Sequence, residues 1–131
     1  MVDDCIQHKS KISEHANKDV CMFCKMASGK MVVNKIYEND NFFSIFDINP
    51  IADGHCLVIS KKHFNNFLDL PNILGSELVD CTKKTVLKVL DERKAEGFNI
   101  VSNNFEAAGQ LVNHFHMHIL PRKKGDKVKL G

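Results

Sequence analysis

One stretch near the end of the chain, His114 to Leu120 (HFHMHIL), constrains the fold more tightly than any other. Polar and apolar side chains alternate there with a period of two. A β-strand turns successive side chains to opposite faces. His114, His116 and His118 therefore share one face, while Phe115, Met117 and Ile119 turn the other way, into a core. The imidazoles form a row with neighbours roughly 6.5–7 Å apart. A single histidine on a strand is usually a hydrogen-bonded polar residue. Three in strict alternation, out of seven in the whole chain, ask for a use, because histidine packs poorly for what its polar ring costs to bury. Its uses are as nucleophile, as acid or base near neutral pH, and as metal ligand.

The elements that precede this strand are short and separated by turn residues. Residues 1–20 are polar without apolar periodicity and read as an N-terminal extension. The apolar residues of CMFCKMASGK and its Gly29 predict a short helix with a glycine cap. NKIYEND and NFFSIFDI read as strands meeting at the turn Asn39-Asp40-Asn41. NPIADG is a turn-rich loop. HCLVIS is a strand with His55, Leu57 and Ile59 on one face and Cys56 and Val58 on the other. Leu74, Leu78, Cys81, Val86, Val89 and Leu90 form the stripe of a helix running to about Arg93, stopped by Gly97. FNIVSN is a strand, FEAAGQLVN a loop, and HFHMHIL the last strand, ending before Pro121. Sequential strands joined by short turns predict an α+β domain: an antiparallel sheet of about five strands, a short N-terminal helix and one long helix, the helices on one side.

At 131 residues the chain is one domain by default and can bury a core without disulfide staples. No apolar run approaches the roughly 20 residues of a membrane helix, and the polar start is no signal peptide. Five cysteines is an odd count, and without a secretion signal they read as thiols or metal ligands in a reducing compartment, cytoplasmic or nuclear. The net charge of 18 − 16 = +2 points to no partner. The last ten residues, RKKGDKVKLG, carry five bases and one acid, +4, leaving −2 elsewhere. That tail reads first as a solvated, partly disordered end and second as a rim that attracts phosphate. Cys21-x-x-Cys24 by itself is open between a redox pair, half a zinc site and two unrelated thiols.

GQLVNHFHMHILPR, Gly109 to Arg122, resembles the His-x-His-x-His signature of the histidine-triad (HIT) superfamily. FDINPIADGHCLVISKKHF resembles the upstream segment of the same family, and CMFCKMASGK the opening of its zinc-containing members. The three motifs occur in the family's order and cover residues 21–124, the HIT-like domain, followed by a basic tail at 125–131. The resemblance implies a nucleotide hydrolase that cleaves at the α-phosphorus and releases a nucleoside monophosphate, AMP foremost, from dinucleoside polyphosphates or nucleoside phosphoramidates. His116 matches the nucleophile, which forms a nucleotidyl-histidine. His118 matches the histidine that contacts the phosphate or leaving group, and His55 the one set against the triplet. A neutral imidazole is a good nucleophile without a separate base, and its neighbours can stabilise developing phosphate charge.

Further positions follow from the same resemblance. Asp47 matches the acid that holds the ribose hydroxyls. Phe23, Met26, Ile45, Phe46 and Ile48 fall where the family lines its base pocket, each also a plausible core residue. Asn103, Gly109 and Gln110 match positions beside the phosphate, where a glycine lets backbone N–H groups approach. Structural zinc is implied on Cys21, Cys24, His63 and His114. Also implied is a homodimer joined near the long helix and last strands, for which Val79 and Leu87 lie off the helix's main apolar stripe. No nucleic-acid-binding module is visible. A catalytically slow nucleotide-binding or scaffold protein and a nucleotidyltransferase are the competing readings. Leu111 departs from the family, which often has Ser or Thr there. Leucine can relay no proton to an amine leaving group, so phosphoramidates are expected to react poorly and dinucleoside polyphosphates comparatively well.

Overall fold

The computed structural model describes residues 20–130, so all but the last residue of the N-terminal extension lies outside the described residues. Helix α1 spans Met22–Ser28. Strands β1 (Tyr37–Glu38), β2 (Phe42–Phe46) and β3 (Cys56–Ser60) follow. After two 3₁₀ turns comes helix α2 (Gly75–Arg93), then β4 (Gly97–Val101), a third 3₁₀ turn and β5 (His116–Arg122). The strands pair antiparallel throughout, in the order β1-β2-β3-β5-β4. Among the described residues no helix is long and apolar enough to cross a membrane.

Local chemistry accounts for the ends of these elements. Gly29 caps α1 at φ 83°, its N–H donating to the Met26 carbonyl. Seven residues are too few for a helix to persist in water alone, so α1 depends on burying Phe23 and Met26. At the β1–β2 turn the Asn39 side-chain oxygen accepts from the Asn41 and Phe42 N–H groups, at 3.3 and 2.9 Å. Helix α2 ends at Arg93, where expected, but by a different cap. Lys94, not Gly97, adopts the left-handed conformation (φ 54°), with the Ala95 N–H closing onto Leu90 O at 3.0 Å, and Gly97 opens β4.

The helices lie on opposite faces of the sheet, not on one side. Alternation along β2 and β3 sends Phe42, Cys56 and Val58 to α2, where they join Leu78, Cys81, Val86, Val89, Met117 and Ile119. Phe43, Ile45, Leu57 and Ile59 face the other way, onto Phe23 and Met26 of α1. Each β2–β3 strand is thus apolar on both faces, a pattern the eye merges into one stripe. His116 and His118, out of phase with Met117 and Ile119, emerge on the α1 face. Two departures adjust the final strand. It begins at His116, leaving His114 in the preceding bend, and it continues through Pro121. Pairing with β3 stops at Ile119, opposite Cys56, so Pro121 lies where that ladder no longer requires a donor.

The basic tail is also more organised than a solvated end. Arg122 forks onto Asp126, Nε to Oδ2 at 2.8 Å and Nη2 to Oδ1 at 2.6 Å, and holds that carboxyl far below the usual carboxylate range.

Gly54 sits in the β2–β3 loop at φ 86°, and a Cβ there would meet Arg93 Cγ at 2.9 Å, Val89 Cγ1 at 3.0 Å and Pro121 Cγ at 3.2 Å. Gly54→Ala should therefore cost about 1–3 kcal/mol, from left-handed backbone strain and crowding together. Urea denaturation measures it; a midpoint equal to that of the wild type refutes this account of the loop.

Candidate active site

Four side chains from three segments converge beside α1. Cys21 and Cys24 come from its first turn, His63 from the end of the β3 extension, and His114 from the bend before β5. Cys21 Sγ lies 3.3 Å from His114 Nδ1, Cys24 Sγ 3.1 Å from His63 Nδ1 and 3.5 Å from His114 Nδ1, and the two Nδ1 atoms are 3.1 Å apart. Ligands at the corners of a tetrahedral zinc shell stand about 3.3–3.6 Å from one another. The fully buried His114 turns Nε2 to the Ser60 carbonyl at 2.6 Å. A carbonyl only accepts, so Nε2 carries the proton and Nδ1 presents a lone pair to the cluster, the arrangement a metal-bound histidine needs. Burial raises the Cys21 thiol, but hydrogen bonds with His114 and His63 outweigh it and bring it down to about 5, into the thiolate range. The four residues fit zinc as a closed, structural Cys₂His₂ set.

A second group, Asp47, His55 and His118, has ligand atoms equally close, yet its hydrogen bonds argue the other way. The Ile51 N–H donates to His55 Nδ1 at 3.1 Å. The His55 proton is therefore on Nε2, which faces His118 Nδ1 at 3.0 Å and Asp47 Oδ2 at 3.4 Å. A cation at Nε2 would leave His55 with no proton at all or break the Ile51 bond. The contact is a hydrogen bond instead, and it makes His118 Nδ1 an acceptor and His118 Nε2–H a donor. Burial, then the neighbouring His116 and His55, push the His118 imidazolium down to about 4, against the pull of Asp47. His55 is lowered by burial as well, with Asp47 opposing.

His116 completes the set. Its Nδ1 meets the His114 carbonyl at 2.8 Å, so the proton sits on Nδ1 and Nε2 keeps its lone pair. Burial lowers its imidazolium too. The Phe23 ring stands edge-on to it at 5.2 Å between centroids.

His55, His116 and His118 line a cavity of about 430 Å³ together with Asp47, Asn103 and Gly109. Phe23, Met26, Ile45 and Leu57 wall its inner side, and Ile48, Ile51, Leu111 and Leu130 stand at its mouth. Most of the residues expected at a nucleotide site are thus brought together. Phe46 borders the cavity, but alternation sets it with Phe42 and Ser44 on the α2 side, its ring 4.9 Å from the Arg93 guanidinium carbon. Gln110 does a different job from the one expected. Its amide donates to the carbonyls of Asn65 (2.6 Å) and Val112 (3.0 Å) and accepts from the Phe105 N–H (2.7 Å), fastening the loop that carries Gly109 and Leu111. The tail's lysines do not line the cavity, whereas Leu130 does, a residue the sequence offered no signal for. A broader open groove, edged by Lys25, Lys30, Lys61 and Lys62, reaches His63 but neither His116 nor His118.

The chain matches the HIT domain family over residues 28–125. It is 42% identical over 114 residues to an uncharacterized HIT-like protein of Methanocaldococcus jannaschii, covering 86% of this chain and 88% of that one. It is 36% identical over 124 residues to the adenosine 5′-monophosphoramidase of Candida albicans, covering 92% and 79%. Among solved structures it is similar to a zinc-bound histidine triad family protein from Mycobacterium smegmatis, with TM-score 0.79, 35% identity and coverage of 87% and 83%.

The hydrogen-bond chain through His55 predicts how His118 titrates. Its ring should remain neutral at pH 6 and charge only near pH 4. Asp47 favours the charged ring, so Asp47→Asn should move the midpoint lower still. Imidazole proton shifts followed by NMR read both; a midpoint at the ordinary histidine value of 6.5 refutes the assignment.

Proposed function

The chain belongs to the HIT domain family, and from that premise we propose that it is a nucleotide hydrolase that cleaves at the α-phosphorus through a nucleotidyl-His116 intermediate and releases a nucleoside monophosphate, AMP foremost. Its substrates are drawn from dinucleoside polyphosphates, nucleoside phosphoramidates and related conjugates. The observation that carries this reading is the bond from His116 Nδ1–H to the His114 carbonyl. It holds one tautomer, with the Nε2 lone pair available in a cavity of nucleotide size. The name of the Candida albicans relative, an adenosine 5′-monophosphoramidase, supports adenosine as the base and a conjugated monophosphate as the substrate.

The steps follow from the tautomers. Nε2 attacks phosphorus, and the bond to the leaving group breaks, taking its electron pair. The ring becomes cationic while Nδ1–H stays on the His114 carbonyl, which stabilises that charge. Water then attacks phosphorus, the N–P bond returns its electrons to Nε2, and one water proton passes to solvent. His118 Nε2–H and the backbone around Gly109 hydrogen-bond the phosphate oxygens. Asp47 accepts from the ribose hydroxyls, and Phe23, Met26 and Ile45 hold the base. Cys21, Cys24, His63 and His114 would hold a structural zinc, which supplies no chemistry to the reaction but fixes α1 to the start of β5.

A homodimer belongs to the same reading. Strand β4 is an edge strand, and its Phe98 and Ile100 are 44% and 48% exposed. They share the α2 face with Leu87, 69% exposed, and Val79, 51% exposed. A second copy would cover the edge and this surface together.

His116→Ala should lower kcat at least about 10³-fold while nucleotide binding survives, and mass spectrometry of a quenched wild-type reaction should find the adduct on His116. Activity retained in the variant, or an adduct elsewhere, removes the mechanism. Elemental analysis should find one zinc per chain; Cys21→Ser should lose it and melt at a lower temperature. Metal-free protein purified without chelators refutes that site. Sedimentation at micromolar concentration should give about twice the 14.8 kDa chain mass, and a monomer mass rules out the dimer.

A further inference from the structure

The contact between Cys24 Sγ and His63 Nδ1, at 3.1 Å, does more than assemble a cluster. Lysines adjoin both residues in the chain: Lys25 follows Cys24, and Lys61 and Lys62 precede His63. Lys30 follows the Gly29 cap of α1. Bringing α1 against the segment after β3 therefore gathers four ammonium groups around one open groove of about 750 Å³, within the range of small-ligand sites. Cys24, Lys25, Ala27 and Ser28 of α1 line this groove, whereas Met22, Phe23 and Met26 line the cavity that holds His116. The two recesses thus use different sides of the same short helix.

Charge is concentrated there. The lining carries 4 − 1 = +3, Asp40 being its one acid, against +2 for the whole chain. Lys61 meets Glu38 at 2.8 Å, but Glu38 also takes Lys35 at 3.3 Å. Lys25, Lys30 and Lys62 form no ion pair among the described residues. Like charges held side by side repel, and a multivalent anion offsets that repulsion. The lining also narrows the anion's class. It holds no arginine, so no planar fork is offered to carboxylates, and lysine binds phosphate as a point charge. Its two rings are engaged elsewhere: Phe64 packs against the α2 core, and His63 stands edge-on to His114 at 4.8 Å. That leaves charge, not base stacking, as the means of recognition.

We propose that this groove is a binding site for a multivalent phosphate chain, separate from the catalytic cavity and independent of the hydrolase reading. Lys25, Lys30 and Lys62 hold the phosphoryl groups by charge, and Lys61 joins them by giving up its share of Glu38. A free inorganic polyphosphate and the phosphate chain of a nucleotide share this chemistry. Because the groove reads charge and no base, the two bind alike there. The ammonium groups face solvent, so the attraction is screened by salt.

The test titrates sodium tripolyphosphate into the full chain as purified, followed by amide NMR, with elemental analysis verifying that metal content is unchanged. Saturable shifts should centre on Lys25, Lys30, Lys61 and Lys62, with a Kd of about 1 mM or tighter at low salt. Raising salt from about 50 to about 300 mM should weaken binding several-fold, a readout that needs no variant. A Lys25→Gln, Lys62→Gln double variant should lose about tenfold in affinity. A Lys83→Gln, Lys88→Gln variant removes the same charge from exposed positions on α2 and should stay within about twofold of the wild type, since exposed charges farther away are screened. ATP should bind the groove no more tightly than tripolyphosphate. Shifts that never saturate, shifts centred on Gly109 and His118 instead, or equal losses in the two variants overturn the proposal. Tighter binding of a hexa-aspartate peptide overturns the phosphate assignment and marks the groove as a dock for an acidic protein segment.

Discussion

His114 is held from both ends, and the rest of the site depends on it. Its ring donates to the Ser60 carbonyl at 2.6 Å, which commits Nδ1 to the cysteine–histidine cluster. Its own carbonyl accepts from His116 Nδ1 at 2.8 Å, which commits His116 to the tautomer with a free Nε2. One buried residue thus ties α1 to the sheet and sets the tautomer of His116. The cost of burying an imidazole is offset because every polar atom of the ring has a partner. Displacing the ring would disturb both the cluster beside α1 and the hydrogen bond that orients His116.

The division of the sheet into two faces gives this arrangement its surroundings. Helix α2 closes one face, and a buried bond of 2.7 Å between Ser44 and Thr85 hydroxyls accompanies its apolar packing. With α2 packed on that face, the opposite one is free to serve the site. There a helix too short to stand alone covers only part of the sheet, and the uncovered remainder is the cavity. Low local dielectric follows from Phe23, Ile45 and Leu57 packing beneath the histidines, and it is burial that keeps His55, His116 and His118 neutral.

Sequence pattern and structure part where long-range packing overrides a local rule. Gly97 looked like a helix stop, but Lys94 took the left-handed position because the helix had already reached its last core residue, Val89, and partly buried Leu90. Pro121 looked like a strand end, yet the ladder on one side had finished at Ile119. Gln110 looked like a phosphate ligand, while its side chain is spent on three loop hydrogen bonds. Phe46 borders the cavity, and its phase along β2 also brings its ring to Arg93. In each case the residue type was informative and its partner, distant in sequence, was not.

The sequence by itself determined the chemistry-bearing strand and the α+β class, whereas the four metal-type ligands were implied by the family resemblance, the cysteine pair alone leaving other uses open. Strand and class are carried by periodicity, because alternation separates core from site. Tertiary structure alone decided which nitrogen of His55, His114 and His116 is protonated, that the helices take opposite faces, and that Leu130 of the tail lines the cavity. Tautomers depend on carbonyls and N–H groups supplied by Ser60, His114 and Ile51, and the choice of face depends on which of two apolar stripes each helix can bury. Neither quantity exists until residues far apart in the chain are brought together.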